Sequence, residues 1–533
     1  MGVKAISNKE MKYILAFDHG TSGMKTALCS IHGEILSFAF QNYDMYYFEQ
    51  GCAEQNPEDW WQALLKTSKQ VIDQTNVDPS QIIAISSSNQ MDGTIPVDAN
   101  GSLLHNCITW LDSRGSTVIK EKFGGIIGGY NFKTISNWLF RTGGVPGLSG
   151  KDIIAHILWL KKNFLDIYER TWKFLDCKDF LNFRLTGKVA TSYDCGILTW
   201  LVNDTDINNI HYDDKLIRLA QLDREKLPEI YPATHILGPV LPEVSQEIGI
   251  PRNTQVIIGA GDMASAAIGS GALNPGQAHV CLGSSSWIIT HTPRRKLDID
   301  HYIGSIPSAM PSMYMIVGEQ EAAGITLSWL KDNILYHKDQ LLQEEQKPDV
   351  YKIFDSLVDE VPPGANNLIF TPWLYGERSP MEDHTLRGGL FNISLDTDRR
   401  HLLRAIFEGV AFNSRWLLQY EERLIGRKFS EISMIGGGAS SDVWCQIYAD
   451  ILNRKIKQVE GGKEANSIGA SLIASVALGK IKWGDIPNLI KFKAEYTPRL
   501  EYKETYDKLF QEFTNIYTNN RKMYQRLNRF NTS

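Results

Sequence analysis

Tyr13-Ile14-Leu15-Ala16-Phe17-Asp18-His19-Gly20-Thr21-Ser22-Gly23-Met24-Lys25-Thr26-Ala27-Leu28-Cys29 decides the fold. An apolar strand, Tyr13 to Phe17, turns through Asp18 to Gly23 and resumes from Lys25 to Cys29, which predicts a β-hairpin. A further glycine at Gly33 turns the chain into a third strand. About 260 residues later the same pattern returns: Ala278 to Leu282 leads into Gly283-Ser284-Ser285-Ser286 and resumes over Trp287 to Thr290. Two such hairpins suggest an internal duplication of pattern rather than of letters.

Between the hairpins, Asn56-Pro57-Glu58-Asp59 supplies a capping residue, a helix-starting proline and two first-turn acids. Trp61, Leu64, Leu65, Val71 and Ile72 follow at helical spacing, so an amphipathic helix covers the first sheet. Ile82 to Ile85 reads as a buried strand ending in Ser86-Ser87-Ser88-Asn89-Gln90, where an open α/β sheet places its ligand loops. Further on, Val361-Pro362-Pro363-Gly364 precedes a strand over Asn367 to Thr371, and Ile432 to Ile435 runs into Gly436-Gly437-Gly438-Ala439. Val443, Trp444, Ile447, Tyr448, Ile451 and Leu452 form a helical stripe, and Glu464 to Leu478 reads as a small-residue helix able to approach a neighbour closely. Tyr502, Tyr506, Leu509, Phe510, Phe513 and Tyr517 give the C-terminal tail a stripe suited to core packing.

The fold class expected is therefore α/β, in two large domains with a cleft between them, because 533 residues exceed what one core serves. The boundaries expected are 1–271, 272–485 and a helical tail over 486–533 packed on the core. Charged residues are 22% and the net charge is −6, without basic tracts interleaved with aromatics, so nucleic acid is not an expected partner. Seven dispersed cysteines with no CxxC pair fit neither a disulfide framework nor a zinc site and point to a reducing cytoplasm. Met1 to Met11 is polar, and no uninterrupted apolar run of about 18 residues occurs, so no membrane association is expected.

In the first hairpin, glycine lets a phosphate approach the backbone, N–H and hydroxyl groups donate to it, an acid can hold hydrated Mg²⁺, and Lys25 adds positive charge. Val256-Ile257-Ile258-Gly259-Ala260-Gly261-Asp262 ends an apolar strand on a glycine-flanked acid. Asp262 there either caps the helix Met263 to Gly269 or serves as the base for an in-line phosphoryl transfer, and the two roles coexist. Gly283-Ser284-Ser285-Ser286 suits the β/γ-phosphates and Gly436 to Ala439 the adenosine end of a nucleotide.

In chain order stand Asp18-x-Gly-Thr-Ser, Gln90-Met91-Asp92-Gly93, Trp110-Leu111-Asp112-Ser113-Arg114, Gly259-Ala-Gly-Asp262, Leu282-Gly-Ser-Ser-Ser286, Gly376-Glu377-Arg378-Ser379-Pro380 and Gly436-Gly-Gly-Ala439. This series resembles the FGGY carbohydrate kinases from about Tyr13 to about Leu478, most closely their xylulokinase branch. The segments Lys178 to Leu181, Arg184 to Gly187, Arg404 with Glu408-Gly409, and Gln446 with Ala449-Asp450 add to the resemblance.

The resemblance implies two actin-like ATPase domains, with sugar held mainly by the first and ATP mainly by the second, and closure that excludes water. It implies Asp262 as general base, with Asp18 and Asp262 facing the Mg²⁺ of MgATP. Gly20, Thr21, Ser22, Lys25, Gly283, Ser284 and Ser285 would meet phosphates, and Gly437, Gly438, Ala439 and Asp442 the adenosine. Sugar contacts would fall on Gln90, Met91, Asp92, Trp110, Asp112, Arg114, Asp262 and Met263. Asp92 stands where the branch commonly has His, Leu111 where it has Asn, and Met263 where Asn follows the acid. D-xylulose is the expected substrate. Ribulose, glycerol, gluconate or the autoinducer-2 sugar stay open, as does a non-catalytic nucleotide sensor on the same superfold. Homodimers occur in the family, which makes a homodimer an expectation here.

Overall fold

A computed structural model describes residues 11–336 and 350–528 of the chain. Of the polar N-terminus and the tail expected over 486–533, residues 1–10 and 529–533 lie outside the described residues. The first half builds a six-stranded sheet from β1 (Tyr13–Gly20), β2 (Gly23–Ser30), β3 (Ile35–Asn42), β4 (Ile82–Asn89), β5 (Ile236–Pro239) and β6 (Gln255–Gly261). Their spatial order is β5-β6-β4-β1-β2-β3. The second half builds a seven-stranded sheet from β7 (Gln277–Leu282), β8 (Ser286–Thr292), β9 (Gly304–Pro307), β10 (Tyr314–Gln320), β11 (Glu431–Ile435), β12 (Lys455–Val459) and β13 (Phe492–Tyr496), in the order β9-β10-β8-β7-β11-β12-β13.

The two sheets share one plan. In each, the first strand pairs antiparallel with its hairpin partner on one side and parallel with a later strand on the other: β1 with β2 and β4, β7 with β8 and β11. A second parallel strand then extends each sheet, β6 beside β4 and β12 beside β11. This is the doubled actin-like arrangement expected from the two hairpins. It gathers the C-terminal ends of the parallel strands, where open α/β sheets carry their ligand loops, along one edge of each sheet.

The first helix, α1 (Pro57–Asp73), starts as its signals predict, with the Asn56 side chain accepting from the Glu58 N–H. Two further helices join the halves: α2 (Asp262–Gly269) after β6, and α5 (Ala465–Ala477) after β12. Although α5 belongs to the second half by sequence, it packs on β1 and β4 of the first sheet and against α2. Small residues make this possible, for a Cβ at Gly269 would lie 1.9 Å from the Ala465 carbonyl oxygen, and one at Gly469 1.8 Å from that of Ser265. The core around this pair draws Ile14, Ala84 and Ile257 from one sheet and Cys281, Ile289 and Ile435 from the other.

Behind the second sheet lies a larger core under α3 (Arg399–Ile425), α4 (Asp442–Leu452) and α6 (Lys503–Asn528). Tyr506, Phe510, Phe513 and Tyr517 of α6 pack on Trp373, Phe412 and Trp416, the packing role expected of the aromatic stripe. Glu408 of α3 accepts from Arg404 at 2.7 Å and from the Tyr506 hydroxyl at 2.8 Å, a buried network that pins α6. The segment expected as a helical tail is not helical throughout. Its alternation Phe492-Lys493-Ala494-Glu495-Tyr496 has the period of a strand, and it forms the sheet edge β13 against β12.

Among the described residues no helix is long and apolar enough to cross a membrane.

Candidate active site

The hairpin strands run further than the sequence suggests. Asp18 was expected in the turn, but β1 continues to Gly20 and β2 begins at Gly23, so the turn is Thr21-Ser22 alone. The longer ladder sets Asp18 directly opposite Lys25, and the Lys25 ammonium donates to the Asp18 carboxylate at 2.8 Å. Lys25, expected to meet phosphate, is thus directed at Asp18. Burial works against its charge, yet Asp18 and Glu464 hold its pKa above the ordinary value. Likewise Ser86 to Asn89 were expected in a loop but complete the central strand β4, and the loop starts at Gln90.

Asp262 reaches the same edge by a bulge. β6 shifts register between Ile257 and Ala260, where Gly259 adopts φ +74 and a Cβ would strike the Ser87 carbonyl oxygen at 2.1 Å. Past the bulge Gly261 donates to the buried Asp194 at 2.7 Å, and Asp262 becomes the first residue of α2. Its Oδ1 accepts from the Met263 N–H at 2.7 Å. Burial, then the nearby Asp18 carboxylate, push the Asp262 carboxyl up to about 7, the range in which a carboxylate accepts and returns a proton near neutrality. Met91 covers Gly261, its sulfur 2.5 Å from where a Cβ would stand, and Met263 packs beside Asp262 on the shared core.

The sugar-side residues form a connected network. Gln90 donates to Gln55 at 2.8 Å, Gln55 to the Thr21 carbonyl at 2.8 Å, and Trp110 through Nε1 to the Thr21 hydroxyl at 3.0 Å. Gln90 Oε1 is buried without a partner, so it faces inward as an acceptor. Asp112 and Arg114 are differently engaged. The Asp112 carboxylate is 1% exposed, accepts from the Ala53 N–H at 2.9 Å and pairs with Arg114 at 2.7 Å, while Arg114 also pairs with Glu54 and lies over Trp159. This pair braces the loop that carries Trp110, and its polar atoms are already spent within the protein. The cluster Cys52, Glu54 and Asp112 has metal-ligating atoms in reach of one another, but Arg114 supplies the countercharge there.

On the facing lobe, Gly283 and Ser284 offer their carbonyls to the N–H groups of Ala323, Gly324 and Ile325, which fixes the second hairpin turn. Gly436 adopts φ +90 with no room for a Cβ against the Leu282 carbonyl. Of the three residues expected around adenosine, Gly437 is exposed on the loop, beside Lys463. Gly438 instead packs against Leu282 and Trp444, and Ala439 is buried with its carbonyl accepting from Gln458 at 2.8 Å. Asp442, the first residue of α4, pairs with Lys493 and accepts from Gln458 at 3.0 Å.

Sequence reasoning missed Asn466, which donates from α5 to Asp18 Oδ1 at 3.1 Å and carries the link between the lobes. A polar residue inside an otherwise small and apolar helix was its signal. It also missed Gln55 and Asp176, the latter a buried helix cap that accepts from the Gly93 N–H at 2.9 Å beside Asp92.

The donor set fits MgATP. A Cβ on Gly20, Gly283 or Gly437 would meet nothing closer than about 3.5 Å, so three loops leave open room for a bound group, with two acids, Asp18 and Asp262, at the junction.

Hairpin turns on facing lobes and a carboxylate poised near neutrality define a two-lobed phosphotransferase of the actin-like class. The chain belongs to the FGGY family of carbohydrate kinases, whose N-terminal domain matches residues 13–269 and C-terminal domain residues 278–478. It is similar to the xylulose kinase of Bacillus subtilis (strain 168), 28% identical over 527 residues that cover 98% of this chain and 99% of that one. It is also similar to the gluconokinase of the same organism, 26% identical over 509 residues covering 95% of each. Among solved structures, a ligand-bound xylulose kinase from Lactobacillus acidophilus superposes with a TM-score of 0.83 at 25% identity, covering 97% of this chain and all of that one.

His19, next to Asp18, gives a pH prediction. It is fully buried against Trp60 and Tyr43, neither ring nitrogen has a partner, and burial lowers its pKa to about 3. The unfolded chain binds a proton near 6.5 that the folded chain refuses, so stability is full above about 6.5 and is lost as pH falls below it. His19→Leu removes this term. Relative to the native chain it should gain about 2 kcal/mol between pH 8 and pH 5 in urea denaturation.

Proposed function

We propose that this chain transfers the γ-phosphoryl group of MgATP to the 5-hydroxyl of D-xylulose, giving D-xylulose 5-phosphate, with Asp262 as general base. The observation that carries the reading is the Asp262 carboxyl, raised to about 7 where the strand edge of the first sheet meets α2. MgATP, when bound, supplies the transferable phosphoryl group and the charge that stabilises its transfer. Asp18 and Asp262 hold the metal end, with Asn466 and Lys25 orienting Asp18. Gly20, Thr21, Ser22, Gly283, Ser284 and Ser285 receive the phosphate chain, and Gly437 the adenosine side. Gln90 Oε1 accepts from a sugar hydroxyl, Trp110 and Met91 give the sugar an apolar wall, and Asp262 takes the proton of the attacking hydroxyl.

The cysteines Cys29, Cys52, Cys107, Cys177, Cys195, Cys281 and Cys445 are all free and buried, which supports a reducing, cytoplasmic setting. The test is a comparison of kcat/KM across D-xylulose, L-xylulose, D-ribulose, L-ribulose and glycerol, with the product assigned by phosphorus NMR. D-xylulose is expected to lead by at least about tenfold and to be phosphorylated at the 5-position. A polyol that outperforms it, or a phosphate at another carbon, would displace D-xylulose as the substrate.

A further inference from the structure

We infer that the sugar pocket selects uncharged polyols and rejects aldonates, because Asp92, Asp152 and Glu319 ring it from both lobes and Arg378 is already committed to glutamates. The inference rests on the proposed sugar kinase activity and deepens it by naming the substrate class.

Asp92 takes a left-handed backbone, φ 63, which few residues other than Gly, Asn and Asp adopt at low cost. That backbone turns its carboxyl inward, where Oδ1 is buried with no partner. It follows Met91, which packs on Gly261 immediately before Asp262. From the same lobe come Asp176, which accepts from the Gly93 N–H, and Asp152, which accepts from the Gly147 N–H. From the other lobe comes Glu319, near the end of β10, with Glu321 just beyond it. Glu319 is an electrostatic neighbour of both Asp92 and Asp262, so the two aspartates flank one space.

The cations here are few. Arg378 pairs with Glu319 and donates through Nε to Glu321 at 3.0 Å, and Lys178 is buried against Asp179 at 2.8 Å. Lys151 adds one positive charge near Glu319. Five acids (Asp92, Asp152, Asp176, Glu319 and Glu321) therefore outnumber Arg378 and Lys151. Burial and their mutual repulsion hold Asp92 well above the carboxylate range, and burial brings Asp152 up to about 6. A protonated Asp92 donates to a sugar hydroxyl, as an imidazole N–H would. A substrate carboxylate placed there meets acids that must stay protonated and a guanidinium whose donors are taken. A neutral hydroxyl meets donors and acceptors in equal supply.

D-gluconate and D-glucitol isolate the charge, since they share a carbon skeleton and differ in a carboxylate against a hydroxymethyl group. Each is to be measured on the full-length native chain, as substrate and as competitor of D-xylulose phosphorylation. D-glucitol is expected to be handled at least about tenfold better than D-gluconate. The variant Asp92→Asn with Asp152→Asn keeps the left-handed residue and the Gly147 acceptor, and is expected to narrow that ratio at least about fivefold. D-gluconate handled as well as D-glucitol by the native chain would overturn the inference and leave the kinase reading intact. An unchanged ratio in the active double variant would overturn the assignment to Asp92 and Asp152. A neutral sugar other than D-xylulose as the best substrate would support the charge rule while displacing D-xylulose.

Discussion

Asp262→Asn is expected to lower kcat by about 10²–10⁴, while KM for sugar and for ATP changes by less than about fivefold. Asn preserves the size of the side chain and an oxygen that can accept from the Met263 N–H at the start of α2, so the helix start is kept. It cannot accept the hydroxyl proton. The alternative role of Asp262, a cap and nothing more, predicts the reverse: kcat close to native and stability changed by about 1 kcal/mol or less. Steady-state kinetics beside urea denaturation of the same variant separate the two roles. ATP binding measured by calorimetry should persist in the variant, because the hairpin turns of both lobes are untouched.

Gly469→Ala is expected to cost about 3 kcal/mol or more of stability and to depress activity with it. Its Cβ would stand 1.8 Å from the Ser265 carbonyl oxygen, which belongs to the backbone of α2 and cannot rotate away. To make room α2 and α5 must part, and α2 begins at Asp262 while α5 carries Asn466, the partner of Asp18. The disturbance therefore reaches the proposed base and the proposed metal ligand together. Gly484→Ala serves as the control, since its Cβ would meet nothing within 4 Å, and it should leave the urea midpoint nearly unchanged. A midpoint for Gly469→Ala equal to that of the control would show that the helices separate freely.

The parts of this molecule legible in the sequence are those encoded locally. Each hairpin announces itself through an apolar run, a small polar turn and a second run, and the parallel strands end in glycine before their loops. The helix starts at Asn56-Pro57 and the apolar stripes of α4 and α6 also read directly, since period and capping need no tertiary context. Strand ends were misjudged where polar residues continue a strand. Asp18 and Ser86 to Asn89 look like loop residues by type, but pairing with Lys25 and burial between β1 and β6 hold them extended.

Roles were harder to read than elements. Asp112 and Arg114 have the chemistry of sugar ligands, yet they satisfy each other, and nothing in their spacing separates a brace from a contact. Gly437 and Gly438 are neighbours in one glycine run, but one faces open space and the other fills against Leu282 and Trp444. The contacts that join the lobes, Asn466 to Asp18 and Glu319 to the space between Asp92 and Asp262, bring together residues far apart in the chain, and only the packing of α5 across the first sheet and the facing of the two lobes create them.

ADP release, followed with MgATP in the presence and absence of D-xylulose for the native chain and Asp262→Asn, tests the central claim most directly. Release that rises at least about tenfold with the sugar, and loses that rise in the variant, is the predicted result. Release indifferent to every sugar and unaltered by Asp262→Asn would contradict the account and leave a nucleotide-binding protein that uses no base at this position.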